Sequence, residues 1–286
     1  MPLPPSEIIL NKRGAVYHLD LLPHEIADTV LLVGDPARAD IIAKRFTTIS
    51  YRIQQREFVT ITGFYKERPI SVLSTGIGTD NIDIVLNELD LLARMDLKTR
   101  TWKEEKRSFH FIRIGTCGIL QENIPVGAFV YSQYSIGFDA LMHFYKREES
   151  YDEHQLKHAL GSYLEEVGLE LPFYVAKSSN RLILDFPDRH VGYTATFPGF
   201  YGPQGRQLRG QVKYPDFIEK LRKFQFNGLK INNFEMESSG LFGMASLLGH
   251  DSHCVCLGLA NRIRGEFLSD FGDRMDTLID TVLEAI

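Results

Sequence analysis

The chain has 286 residues, 44% of them hydrophobic and 24% charged, with a formal net charge of −5. These proportions exclude a disordered, collagen-like or disulfide-scaffold chain and leave an ordinary globular protein of one long domain or two shorter ones. The acid excess removes a global basic footprint for nucleic acid, so any anion must be met by a local cluster of positive charge.

The opening segment, Met1-Pro2-Leu3-Pro4-Pro5-Ser6-Glu7, has neither the basic nor the apolar stretch of a signal peptide. No apolar run approaches the ~20 residues of a membrane span. Cys117, Cys254 and Cys256 are too few, and odd in number, for a secreted disulfide framework, which points to a reducing, cytoplasmic setting. Two of them lie two apart in an apolar run, so on a strand they share one buried face. A lone C-x-C is a poor zinc site.

In chain order, residues 29–33 read as a buried strand ending at Gly34-Asp35-Pro36. A helix follows from Pro36, with Ala39, Ile42, Ala43 and Phe46 on one face. Residues 58–62 and 70–74 form a hairpin around Lys66-Glu67-Arg68. From Asn81, residues Ile82, Val85, Leu86, Leu89 and Leu92 recur at helical spacing. Residues 98–108 are polar, hold the only Trp, and read as an exposed loop.

Strands are expected at 109–114, closed by Gly115-Thr116-Cys117-Gly118, and at 126–131. A helix at 152–167 precedes strands at 173–176 and 190–194. Residues 198–210 contain four glycines and two prolines and make a long loop. A helix at 233–248, a buried strand at 254–260 and a helix at 271–286 complete the chain. This alternation predicts an α/β fold, with a largely parallel or mixed sheet and helices on both faces. No repeat or linker divides it, so one domain is expected over residues 1–286.

Three strand ends could carry chemistry. Gly34 lets the backbone approach a ligand, the following helix offers free N–H groups, and Arg38 adds a charged fork. Taken alone, that turn is as well explained by a surface arginine. Ser74-Thr75-Gly76-Ile77-Gly78 repeats the theme, and Arg113-Ile114-Gly115-Thr116 repeats it again with an arginine inside an apolar strand. A buried arginine needs an anion or carboxylate. Carboxyl ends of strands in open α/β sheets converge on one crevice, so Arg38, Arg113 and the Thr116 hydroxyl would form a phosphate pocket there.

Asn233-Phe234-Glu235-Met236-Glu237-Ser238 places two carboxylates two residues apart. On a helix they point in different directions, which excludes a glycosidase dyad. They either compensate the helix N-terminus or accept sugar hydroxyls while Met236 packs on the ring. Gln204 and Arg206, two apart on a loop, suit a base edge carrying a carbonyl and an N–H, although taken alone a solvated loop explains them better. His154 and His158 lack a third metal ligand and belong to an exposed helix face.

Taken together, Gly34-Asp35-Pro36-x-Arg38, Gln55-Arg56-Glu57-Phe58, Ser74-Thr75-Gly76-Ile77-Gly78, Arg113-Ile114-Gly115-Thr116 and the Glu235-Met236-Glu237 segment resemble the nucleoside phosphorylase superfamily, and within it the uridine-cleaving members. The motifs follow the family's order from about residue 18 to residue 262. The resemblance implies a single α/β domain with a mixed, partly barrel-like central sheet flanked by helices. It also implies reversible phosphorolysis of uridine to uracil and ribose 1-phosphate, using no organic cofactor and no metal.

By the same resemblance, Gly34, Arg38, Arg113 and Thr116 bind phosphate, joined by Arg56 from a neighbouring subunit. Glu235, Met236 and Glu237 hold ribose, with His18 reaching a partner's ribose site. Gln204 and Arg206 read the base, with Phe197 or Phe200 stacking on it and Arg262 nearby. The catalytic set is Arg113, Thr116, Gln204, Arg206 and Glu237. Asn261 stands where purine-specific relatives place a proton-donating aspartate, which favours a pyrimidine. Asn81 replaces the serine of a monovalent cation site known in some members, while Glu57 remains.

The expected partners are a nucleoside and phosphate, with no nucleic acid and no membrane. The expected assembly is a homo-oligomer, at least a dimer and at most a hexamer of three dimers. Purine phosphorolysis, hydrolysis by a nucleosidase, and non-catalytic nucleoside binding are the alternatives on this fold. The retained Arg38, Arg56 and Arg113 argue against hydrolysis.

Overall fold

A computed structural model describes residues 2–179 and 189–286. The first half runs β1 (Thr29–Val33), α1 (Pro36–Ala43), β2 (Thr48–Gln55), β3 (Phe58–Tyr65), β4 (Arg68–Ser74), α2 (Thr79–Arg94), β5 (Met95–Asp96), β6 (Thr101–Trp102), β7 (His110–Ile119) and β8 (Phe129–Gly137). The second half runs α3 (Tyr151–Glu166), β9 (Tyr174–Lys177), β10 (Arg189–Thr196), α4 (Phe217–Leu221), β11 (Gln225–Phe226), β12 (Leu229–Glu235), α5 (Ser238–Leu248), β13 (Asp251–Asn261), β14 (Glu266–Phe267) and α6 (Gly272–Ala285).

The main sheet is ordered β11-β12-β10-β8-β13-β7-β1-β4-β3-β2. It is mixed: β4, β1, β7 and β13 are mutually parallel neighbours, whereas β13 and β8 are antiparallel. A further antiparallel pairing of β12 with β7, through Asn233↔Ile119 and Phe234↔Gly118, closes one part into a barrel. The other part, β1 to β2, remains an open wing. Strands from both halves of the chain interleave in this one sheet, which gives a single α/β domain.

Helices cover both sides. Ile82, Val85, Leu86 and Leu89 of α2 join Leu241, Phe242 and Met244 of α5 in one core. Ala39 and Ile42 of α1 join Met275, Leu278 and Ile279 of α6 on the opposite side. Leu156, Leu160 and Leu164 of α3 form a third core against the barrel. Burying each such leucine or isoleucine contributes about 1.5–3 kcal/mol, so these stripes orient the helices. At α1, Asp35 caps the start by accepting from the Ala37 N–H at 2.9 Å, and Pro36 occupies the first turn.

Four expectations are corrected. Gly115-Thr116-Cys117-Gly118 does not close a strand, because β7 continues through it. The glycines serve close approach: a Cβ on Gly115 would lie 2.8 Å from the Cys256 sulfur, and one on Gly118 would lie 2.6 Å from the Phe234 ring. The strand expected at 126–131 begins at Phe129 and runs to Gly137, after a turn in which Gly127 takes φ +80°. The helix expected at 233–248 is a strand up to Glu235 and a helix only from Ser238. The loop at 98–108 contains the two-residue strand β6, paired with β5. Strand β2, half-exposed and paired only with β3, has no buried stripe to announce it.

Candidate active site

The carboxyl ends of β1 and β4, the middle of β7 and the β12–α5 junction surround a cleft of about 720 Å³. Gly34, Arg38, Arg113 and Thr116 line one end of it. Arg113 is paired in register with Leu32 on one side and Cys254 on the other, in the most buried part of the sheet, and is only 5% exposed. Its Nη2 donates to Glu237 Oε2, and its Nε lies 3.7 Å from Glu235 Oε2. Its Nη1 is buried with no hydrogen-bond partner among the described residues. Burial alone would lower the Arg113 pKa, but Glu237 and Glu235 outweigh it and hold the guanidinium charged.

Arg38 reaches only the Ile114 carbonyl, at 3.5 Å, and has no carboxylate in ion-pair contact among the described residues. Burial, and then the charge of Arg113, push its pKa down. Two partly unsatisfied guanidiniums side by side, next to glycine-bearing strand ends, form an anion site.

The two carboxylates have separate jobs. Glu235 is buried and accepts from the Glu237 and Ser238 backbone N–H groups, the Ser238 hydroxyl and the Thr196 hydroxyl. Burial, then the neighbouring Glu237, raise its pKa. With its oxygens so engaged, Glu235 fixes the start of α5, as the helix-compensation reading expected, and has little capacity left for a sugar. Glu237 has less: Gly78 N–H at 2.7 Å and Arg113. The spacing argument is also corrected. Because the segment is a strand end and turn rather than a helix, both carboxylates converge on Arg113.

Gln204 and Arg206 mark the other end of the cleft, with Phe200. Gln204 is 2% exposed, held in a short 3₁₀ turn (Gly202–Gln204) that Gly205 terminates at φ +68°. Arg206 Nη1 donates to Gln204 Oε1 at 2.7 Å, and its guanidinium lies 3.8 Å from the Phe200 ring centroid. Burial, with help from Arg262, pushes Arg206 down to about 10, so it remains cationic at neutral pH. Arg262 sits behind this pair, donating to the Gln204 carbonyl at 3.0 Å, and burial lowers its pKa.

Three expected site residues lie elsewhere. Phe197 stacks on Phe138, with centroids 4.9 Å apart, and faces a second cavity, so Phe200 is the ring on the cleft wall. His18 and Arg56 do not line this chain's cleft. His18 bonds Glu88, and exposed Arg56 lies over the Tyr17 ring at 6.0 Å. The cleft also contains apolar walls that the sequence reading missed: Phe234, Leu259, Ala260 and Phe267. Phe267 reaches the cleft because β14 folds back on β13 in a short hairpin, whose turn holds Gly265 at φ +67°.

At the cation position, Asn81 Nδ2 donates to Glu57 Oε1 at 3.2 Å. In this arrangement the Asn81 amide occupies the Glu57 oxygen that a cation would use.

A model of the phosphorylase superfamily matches residues 28–286, which takes in every cleft residue named above. The chain belongs to the phosphorylase superfamily. The chain is 31% identical to the uridine phosphorylase of Thermococcus kodakarensis over 90% of its own length and 81% of that relative. It is 30% identical to the uridine phosphorylase of Haemophilus influenzae, covering 88% and 89% of the two chains. A DeoD-type purine nucleoside phosphorylase of Buchnera aphidicola is 24% identical over 93% of this chain and 98% of that one. Among solved structures, a Trypanosoma brucei nucleoside phosphorylase described as showing uridine phosphorylase activity superimposes with a TM-score of 0.85, at 29% identity, over 97% and 98% of the chains. No described helix is long and apolar enough to cross a membrane.

Proposed function

We propose that the protein is a uridine phosphorylase, cleaving uridine with inorganic phosphate to uracil and ribose 1-phosphate in a reversible reaction. The observation that carries phosphorolysis is the buried, unpartnered Nη1 of Arg113 beside Arg38. Water as the nucleophile would need neither charge.

Phosphate bound by Gly34, Arg38, Arg113 and Thr116 lies under the sugar, with Glu237 holding the ribose hydroxyls and Met236 packing on the ring. As the glycosidic bond lengthens, positive charge grows on the ribose and negative charge on uracil. Phosphate stabilises the first and then bonds the anomeric carbon. Arg206 and the Gln204 amide stabilise the second, so positioning and electrostatics carry the rate. Arg56 and His18 act from a second copy of the chain, which makes a dimer the smallest active unit. The reaction runs without a monovalent cation at Glu57, whose carboxylate already receives the Asn81 amide.

Pyrimidine is favoured over purine by Asn261. Its Nδ2 donates to the Gln121 and Ile124 carbonyls, and its Oδ1 accepts from the Ile263 and Arg264 N–H groups. A fully engaged amide has no proton to offer a purine. The names of the uridine phosphorylase relatives support the same choice. The three free, buried cysteines suit a cytoplasmic enzyme.

The test is incubation with uridine, thymidine and inosine, each with and without phosphate, followed by base release. Uracil release only with phosphate is expected. Release without phosphate overturns phosphorolysis, and preference for inosine overturns the pyrimidine assignment.

A further inference from the structure

Glu88 is a buried carboxylate on α2, 8% exposed, and no lysine or arginine pairs with it among the described residues. Its oxygens instead collect one short segment. They accept from the His18 backbone N–H at 2.9 and 3.0 Å and from the Leu19 N–H at 2.8 Å. Oε1 also lies 2.7 Å from His18 Nδ1. A carboxylate held by backbone donors can only accept, so Nδ1 carries a proton and Nε2 is the ring nitrogen left free of this contact. The ring is packed edge-on against Tyr17, with centroids 5.0 Å apart and planes at 85°, and Arg56 lies over the other ring of that pair. His18, Tyr17 and Arg56 therefore form one preassembled patch outside this chain's own cleft.

We propose that Glu88 is a positioning residue for the reaction: it fixes the tautomer and orientation of His18, so that Nε2 accepts a ribose hydroxyl in the cleft of a second copy. The inference rests on the uridine phosphorylase reading and on His18 acting in trans. Ribose offers three hydroxyls. In the proposed function Glu237 takes the vicinal pair, which leaves the 5′-hydroxyl for a group arriving from the partner. A carboxylate that merely tied the segment down would be satisfied by the three backbone N–H contacts. The contact to Nδ1 is what gives His18 a defined acceptor face.

The decisive variant is Glu88→Gln. Glutamine keeps an oxygen for a backbone N–H, but its amide nitrogen donates to Nδ1 and so moves the ring proton to Nε2. In Glu88→Gln, the preference for uridine over 5′-deoxyuridine, as the ratio of kcat/KM values, is expected to fall about tenfold, mainly through the KM for uridine. His18→Ala lowers the same ratio by a similar factor, and the double variant is no worse than His18→Ala. Equal loss on both substrates, additive losses, or an unchanged ratio overturns the proposal. A second readout needs no substrate. Imidazole ¹⁵N shifts of the wild-type protein should show His18 as the Nδ1–H tautomer, switching to Nε2–H in Glu88→Gln. Wild-type Nε2–H overturns the positioning role. A protein that shows the tautomer switch but splits neither nucleoside leaves Glu88's hold on His18 standing and refutes the uridine reading.

Discussion

The two ends of the same parallel strands treat charge in opposite ways. Around the carboxyl end of β1, the cleft keeps two guanidiniums close together, one with a buried, unpartnered nitrogen and the other with no ion pair, in each case among the described residues. At the amino ends, imidazoles stand against carboxylates or are held neutral. His250 Nε2 lies 3.2 Å from Asp90, and His110 Nδ1 lies 3.4 Å from Asp251. Burial pushes His253 down to about 4, so it is neutral beside the Tyr131 hydroxyl at 2.9 Å. Buried charge without a partner is costly, and a fold tolerates it where a ligand supplies the missing half. Leftover charge marks the working end, and cancelled charge marks the end that only has to stay folded.

The strongest way to break this contrast is Arg113→Ala. Removing the central donor of the cleft should lower kcat/KM for uridine about 10³-fold in steady-state assays with phosphate. Arg113→Lys should recover only a small part, because an ammonium cannot face Glu237 and an anion together as a planar fork does. Activity within tenfold of wild type would place the anion site elsewhere. The next largest effect belongs to the opposite end and reads out as stability. Unfolded His253 takes a proton near its ordinary 6.5, whereas the folded state resists until about 4. Neither state is protonated above that window. As pH falls through it, the unfolded state gains the proton first, and stability drops by on the order of 3 kcal/mol. Urea titrations from pH 7 to pH 4 should show this loss in the wild type and a flatter profile in His253→Gln, whose uridine turnover at pH 7 stays within twofold.

The sequence discloses these two ends unequally. The cleft end is legible because its chemistry contradicts its surroundings: Arg113 is a charge in an apolar strand, and glycines punctuate three strands. Even so, Gly115 and Gly118 read as the end of a strand, since a glycine required by the Cys256 sulfur or the Phe234 ring looks the same in sequence as one required by a bend. Glu235 and Glu237 read as helical because helical and strand periods overlap in Asn233-Phe234-Glu235-Met236. The resulting separation of the carboxylates vanished once β12 proved to run up to Glu235. Phe197 and Phe200 are equivalent on a glycine-rich loop until the Phe138 ring claims the first. Barrel closure through β12 and β7 joins residues more than a hundred positions apart, and no local pattern announces it. The amino-end histidines gave no signal at all, because their significance lies in partners on other strands.

Within the cleft, a finer version of the same contrast separates the loop-borne base end from the strand-borne phosphate end. Gln204→Ala should lower kcat/KM for uridine roughly 30-fold, by removing two hydrogen bonds to the base and releasing Arg206 from Oε1. It should leave the KM for phosphate unchanged; a parallel rise in that KM would mean the two ends are not separable. Arg38→Met gives the smallest effect and the sharpest test. Methionine keeps an apolar stem against the strand ends while deleting a charge that Arg113 repels. The KM for phosphate should rise about tenfold, a typical loss for one charge-assisted contact when Arg113 remains. The thermal midpoint, read by circular dichroism without phosphate, should not fall, because the deleted guanidinium made only a 3.5 Å contact to the Ile114 carbonyl. Adding saturating phosphate should then raise the midpoint of the wild type more than that of the variant, since a ligand stabilises only the state that binds it. A variant that unfolds at lower temperature with its phosphate KM intact would make Arg38 part of the scaffold and move the boundary between the two ends of the sheet.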